Sequence, residues 1–132
     1  LRDDGLPRQW ISRLAGALGD LEDRSALNQN PLARLAYVER LAAEKYSFQI
    51  LPRGLALRRI LLDCVDRVCA QLASESGSAK ACEYLRLRTD GHTCQDTSQR
   101  LGLSREHVSR TVRKKALEIL AEEFMAVTRE RR

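Results

Sequence analysis

Residues 93–110 read Thr-Cys-Gln-Asp-Thr-Ser-Gln-Arg-Leu-Gly-Leu-Ser-Arg-Glu-His-Val-Ser-Arg. Two short helices joined by one tight turn are written into this stretch. Thr93 can accept a hydrogen bond from the backbone N–H three residues on, and the acid Asp96 stands at that third position, a capping-box-like start. Gly102 permits the left-handed backbone that ends the first helix and turns the chain into the next. Ser104 caps the second helix, which opens at Arg105 and presents its first N–H groups outward. Leu101 and Leu103 plug the angle between the helices, and Val108 fills it from the other side. Ser98 is the small residue that a close crossing needs. A small residue, Gly four later and Val six after that form the helix-turn-helix spacing.

The second helix carries side chains suited to reading bases. Its outward positions are Arg105, Glu106, Ser109, Arg110, Arg113 and Lys114, while Val108 and Val112 turn inward. Arginine can donate two hydrogen bonds to the O6 and N7 acceptors of guanine, and glutamate can accept from the amino group of cytosine. The expected base-reading set is Arg105, Glu106, Ser109 and Arg110, on a helix lying in the major groove. Thr93 and Ser104 at the two helix starts, with Arg113, Lys114 and Lys115, form the expected phosphate set, which positions the helix without reading sequence. Plainer roles exist for the same residues. Arg105 and Arg110 can be ordinary surface arginines, and Glu106 an acid in a first turn favoured by the helix dipole.

Charge placement agrees with a polyanionic partner. The chain has 132 residues and a net charge of +5. Residues 1–78 hold 11 Lys/Arg against 10 Asp/Glu, and residues 118–132 hold 3 against 4. Residues 79–117 hold 9 basic and 4 acidic side chains, so the excess is concentrated there. Each basic contact to a phosphate releases a condensed counterion.

LGLSREHVSR, residues 101–110, resembles the recognition segment of Crp/Fnr-type bacterial regulators. That likeness implies base-reading roles for Arg105, Glu106 and Arg110. Those regulators continue into a β-hairpin wing, whereas KKALEILAEEFMAV continues as helix, without glycine. That continuation, and DGHTCQDTSQRLGLS ahead of the turn, look more like region 4 of sigma factors and its tetrahelical relatives. The resemblance implies a wingless, tetrahelical domain over about Ala79 to Val127. ALGDLEDRSALNQNPLARL and RGLALRRILLDCVDRV look like a helical module placed ahead of such domains in multidomain bacterial regulators.

Working outward, the chain reads as all-α. Its length suits one compact domain or two very small helical ones. A first helix is expected from about Pro7, at a first-turn position, to Leu18, with Trp10, Leu14 and Leu18 on one face. A turn over Ser25 to Gln29 precedes Asn30 as N-cap and Pro31 at N1 of a helix ending near Lys45. That helix carries Leu32, Leu35, Val38 and Leu41 inward. Pro52 opens a long helix to about Ala73, with Leu57, Leu61, Cys64, Val65, Val68 and Leu72 on its apolar stripe. Ser74-Glu75-Ser76-Gly77-Ser78 reads as a linker. It divides residues 1–78, a regulatory or oligomerisation unit, from residues 79–132, the DNA-binding unit. After it, Lys80 to Arg88 forms a scaffold helix with Ala81, Cys82, Leu85 and Leu87 facing in, broken at Asp90-Gly91. Leu117, Leu120, Phe124 and Val127 make a short apolar seam on the last helix, available either to a second copy or to the amino-terminal helices.

The composition narrows the rest. No apolar run approaches the roughly 18 residues of a membrane span, and the first ten residues lack the apolar core of a signal peptide. The start at Leu1 reads as a fragment or trimmed product. Cys64, Cys69 and Cys82 fall at core-like helical positions and, with Cys94, lack the paired spacing of a zinc site. They read as reduced thiols of a cytoplasmic protein, with a redox or metal switch as the lesser reading. His92 and His107 read as surface or hydrogen-bonded residues. No catalytic constellation, metal site or cofactor is expected, and the protein does not read as an enzyme. The sequence thus points to double-stranded DNA binding within a bacterial transcription regulator, not to membranes, with a homodimer and RNA polymerase as further partners of that reading. A palindromic target with half-sites about 10 base pairs apart follows if two copies pair. The competing class is a protein-interaction module docking on RNA polymerase or a sigma factor.

Overall fold

The computed structural model describes residues 8–72 and 79–129, which are all-helical with no strand among them. The chain runs through α1 (Arg8–Gly19), α2 (Arg24–Gln29), a 3-10 turn (Pro31–Arg34), α3 (Ala36–Lys45) and α4 (Pro52–Leu72). It continues through α5 (Ala79–Thr89), α6 (Cys94–Leu101), α7 (Arg105–His107), a π-helical turn (Val108–Val112) and α8 (Arg113–Arg129). The expected positions of Pro7 and of the 74–78 linker lie outside the described residues.

α4 forms the middle of the fold because it is apolar over most of its circumference. Its expected stripe is buried in full, and Ala56, Ile60 and Cys69 join it. It packs on α2, α3, α5 and α8. Its first turn crosses α2 at a glycine. A Cβ built on Gly54 would lie 2.6 Å from the Arg24 carbonyl oxygen, so no larger residue fits without moving α2. The Gly54 N–H also donates to Asn28 Oδ1 at 3.1 Å, which ties the two helices at that point.

Two amino-terminal expectations change. Residues 24–29 form a helix, not a plain turn, because Asp23 accepts from the Ala26 N–H and Leu27 is buried beneath it. Asn30 caps as expected, accepting from Leu32 N–H at 2.9 Å. The helix it starts stops after one 3-10 turn, since Leu35 is extended at ψ 144° and α3 begins afresh at Ala36. The Asn30 side-chain amide donates to the Arg13 carbonyl at 3.1 Å, so this break is anchored to α1. Leu32 and Val38 are buried, and Leu35 and Leu41 half-buried, so the inward pattern survives the break.

α8 settles where the apolar seam goes. Leu117, Leu120 and Phe124 are buried, and α8 packs on α1, α3, α4 and α5. Phe124 meets Trp10 of α1 edge-on, ring centroids 5.8 Å apart. Arg67 of α4 donates to Glu123 of α8 at 2.8 Å along the same junction. The seam is therefore covered by the amino-terminal helices within one chain.

The cysteines are not four reduced thiols. The structure joins Cys69 of α4 to Cys82 of α5 in a disulfide, with Cα atoms 5.3 Å apart. Helical periodicity places each sulfur on the inward face of its own helix but does not say which inward faces meet. Cys64 is a buried thiol, and burial pushes it up to about 12. Cys94 is exposed. Among the described residues no helix is long and apolar enough to cross a membrane, and no cluster of three or more His, Cys, Asp or Glu could hold a metal ion.

Candidate nucleic-acid interface

α6 begins as the sequence directs. Thr93 is extended, and its Oγ1 accepts from Asp96 N–H at 3.1 Å. Asp96 does not turn back to the Thr93 N–H, as a full capping box would. Its carboxylate instead accepts from Arg100 Nε at 3.2 Å and pairs with His92 Nδ1. The Arg100 hydrogen bond, with a smaller contribution from His92, holds the Asp96 carboxyl below the usual carboxylate range. His92 thus belongs to the start of α6 as a hydrogen-bonded residue.

The turn after α6 is a Schellman motif. Gly102 adopts φ 72°, ψ 25°. Its N–H donates to the Gln99 carbonyl at 3.1 Å, and the next N–H, of Leu103, donates to the Ser98 carbonyl at 3.2 Å. These two bonds occupy carbonyls that a helix end otherwise leaves without partners. Lys80 of α5 adds a third, donating from Nζ to the Leu101 carbonyl at 3.0 Å. Its distance from α6 in the sequence hid that contact. Ser98 is buried at the helix crossing and turns its hydroxyl back to the Gln95 carbonyl at 2.8 Å. Thr97 beside it is wholly buried, with its hydroxyl unpartnered.

Beyond the turn, Ser104 Oγ accepts from His107 N–H at 3.0 Å and caps α7. Leu101, Val108 and Val112 are buried and Leu103 half-buried, so the angle between the two helices is filled as expected. The helix is not regular. Residues 108–112 form a π-helical turn, closed by the Arg113 N–H donating to the Val108 carbonyl five residues back. A π turn accommodates one extra residue. Val108 and Val112 are both buried within it, and α8 then buries Ala116 and Leu117.

The structure brings the expected surface residues onto this one helix. Arg105, Glu106, Ser109, Arg110, Lys114 and Lys115 are exposed and Arg113 is half-buried; Thr93 and Ser104 are exposed at their caps. Glu106 and Arg110 are not independent. Arg110 Nη2 donates to Glu106 Oε2 at 3.0 Å, with the Arg110 side chain 77% and the Glu106 side chain 69% exposed. At that exposure the pair adds little to stability, so both groups can be redirected toward a ligand at small cost. Behind them Tyr84, Cys94, Arg105, Val108, Ser109 and Arg113 line a cavity of about 150 Å³. Tyr84, almost fully buried, was missed among the inward residues of α5, where Ala81 and Leu85 are buried and Cys82 and Leu87 half-buried. Burial, and to a smaller extent the neighbouring Cys94, raises the Tyr84 hydroxyl above its ordinary value. No known protein family, curated protein or solved structure matches the chain.

Proposed function

We propose that α6, the Gly102 turn and the helix opening at Arg105 form a wingless helix-turn-helix that binds double-stranded DNA sequence-specifically, as the output domain of a cytoplasmic bacterial transcription regulator. One observation carries this reading. Arg105, Glu106, Ser109 and Arg110 are all exposed on the first turns of a Ser104-capped helix whose Val108 and Val112 are fixed in the core. That arrangement offers donors and acceptors to base edges from a rigid seat. Lys114, Lys115 and Arg113 follow along the same helix, placed for phosphates. The Thr93 and Ser104 hydroxyl oxygens already accept cap bonds, which leaves each hydroxyl proton free to donate to a phosphate oxygen.

On DNA, Arg110 leaves Glu106 for guanine, and Glu106 accepts from cytosine. Selection of bound duplexes from a random pool, followed by gel shifts on the selected site, tests this. Arg110→Ala is expected to cost about 1–3 kcal/mol and to relax one base position, whereas Lys114→Ala weakens all sequences alike and lowers the salt slope by about 1. A domain that docks only on RNA polymerase or a sigma factor would select no sequence at low salt, and neither substitution would change its retention on DNA.

A further inference from the structure

The Cys69–Cys82 disulfide spans the junction between α4 and the helix that seats the proposed reading helix. α5 packs on α4, α6, α8 and the π turn, and its Tyr84 lines the cavity beneath Arg105, Ser109 and Arg113. Any tilt of α5 against α4 is therefore transmitted to that seat. The two Cα atoms, 5.3 Å apart, lie inside the range of about 4.4–6.8 Å that a disulfide spans. The two residues are not equally exposed: Cys69 is 6% exposed and Cys82 is half-buried. Cys64, one and a half turns back on α4, is a buried thiol held neutral, so it does not compete for exchange.

We propose that Cys69 and Cys82 are a reversible dithiol–disulfide site that clamps α5 onto α4 when oxidised and loosens the seat of the reading helix when reduced. The chemistry balances with a small disulfide as oxidant. The Cys82 thiolate attacks one sulfur of oxidised glutathione, forming a mixed disulfide and expelling one glutathione thiolate. The Cys69 thiolate then attacks the Cys82 sulfur and expels nothing but the second glutathione. The protein gives up two protons and two electrons, and one glutathione disulfide becomes two thiols. Reduction by a small thiol retraces both steps.

The clamp itself does not rest on the DNA reading, whereas its effect on affinity does. The full chain, carrying Cys94→Ser to prevent intermolecular pairing, is equilibrated with oxidised glutathione or with dithiothreitol. Peptide mass mapping under non-reducing conditions should show the 69–82 cross-link in the first sample and its return to two thiols in the second. Amide hydrogen exchange across α5 should slow on oxidation, and the selected duplex should bind at least about fivefold tighter to the oxidised form. Cys82→Ala, in the same background, should show neither redox dependence. Absence of the cross-link, or equal exchange across α5 in both states, overturns the clamp. Slower exchange with equal affinity overturns its coupling to DNA. Failure to bind any duplex in either state counts against the DNA reading and leaves the clamp to be judged by exchange and mass.

Discussion

Gly102 stands at φ 72° in open space, with no neighbouring atom within 4 Å of where a Cβ would be. Substitution there is opposed by backbone conformation alone, without a clash. Gly102→Ala should therefore cost about 1–2 kcal/mol, the penalty of a left-handed L-residue, and Gly102→Asn less, because asparagine tolerates this region. Denaturant unfolding of the two variants distinguishes conformational cost from steric cost. Asp96 offers a second residue-scale test, with a definite sign. Its folded value is depressed below the ordinary 3.8, so the native state favours the carboxylate. The stability it contributes is present above the ordinary carboxylate range and lost as pH falls through the depressed value. The melting temperature of Asp96→Asn should lie below that of the parent at neutral pH and converge with it in acid.

At the scale of elements, α8 serves two purposes that its sequence pattern shows as one stripe. Its amino-terminal end continues the helix bearing Arg105 to Arg110, and its later turns bury Leu120, Ala121 and Phe124 against the amino-terminal helices. Phe124 is fully buried and touches Trp10. Phe124→Ala should cost about 3–5 kcal/mol, the range for deleting a buried aromatic ring. Chemical denaturation measures the loss, and Trp10 emission should shift to the red as its ring gains water. A small loss with unchanged emission would mean that α8 does not hold α1 in solution. The π turn was not legible in advance. Valines at 108 and 112 fit a regular helix equally well, so their spacing carries no mark of the wider turn.

For the whole molecule, the decisive fact is that one apolar core passes through both halves of the chain. Leu14, Leu61, Leu85, Leu117 and Phe124 belong to a single cluster. A fragment of residues 79–132 leaves the α1-, α3- and α4-facing side of α8 exposed. It is expected to show weak, non-cooperative thermal melting of its helical circular dichroism, whereas the full chain melts in one transition. A cooperative fragment would show that α5 to α8 are self-sufficient.

Much of this was written locally. The N-caps at Asn30, Thr93 and Ser104, the left-handed turn at Gly102, the all-helical class and the inward pattern of α4 all depend on residues within one or two turns of each other. Such features are set by hydrogen bonds and backbone preferences that a linear reading reaches. The exposure of Arg105, Glu106, Ser109 and Arg110 was legible for the same reason, because Val108 and Val112 fix the helix rotation.

What the tertiary structure alone decided concerns which faces meet. Periodicity marks a face as apolar but names no partner for it. The joining of Cys69 to Cys82, the Lys80 contact to the end of α6, the burial of Tyr84 and the packing of α8 on α1, α3 and α4 are all of this kind. So is the burial of Leu27 in the helix at 24–29, which comes from the packing of α2 against α4, although its Asp23 cap is local. Each depends on groups far apart in the chain, and the free energy that selects them arises when the core closes.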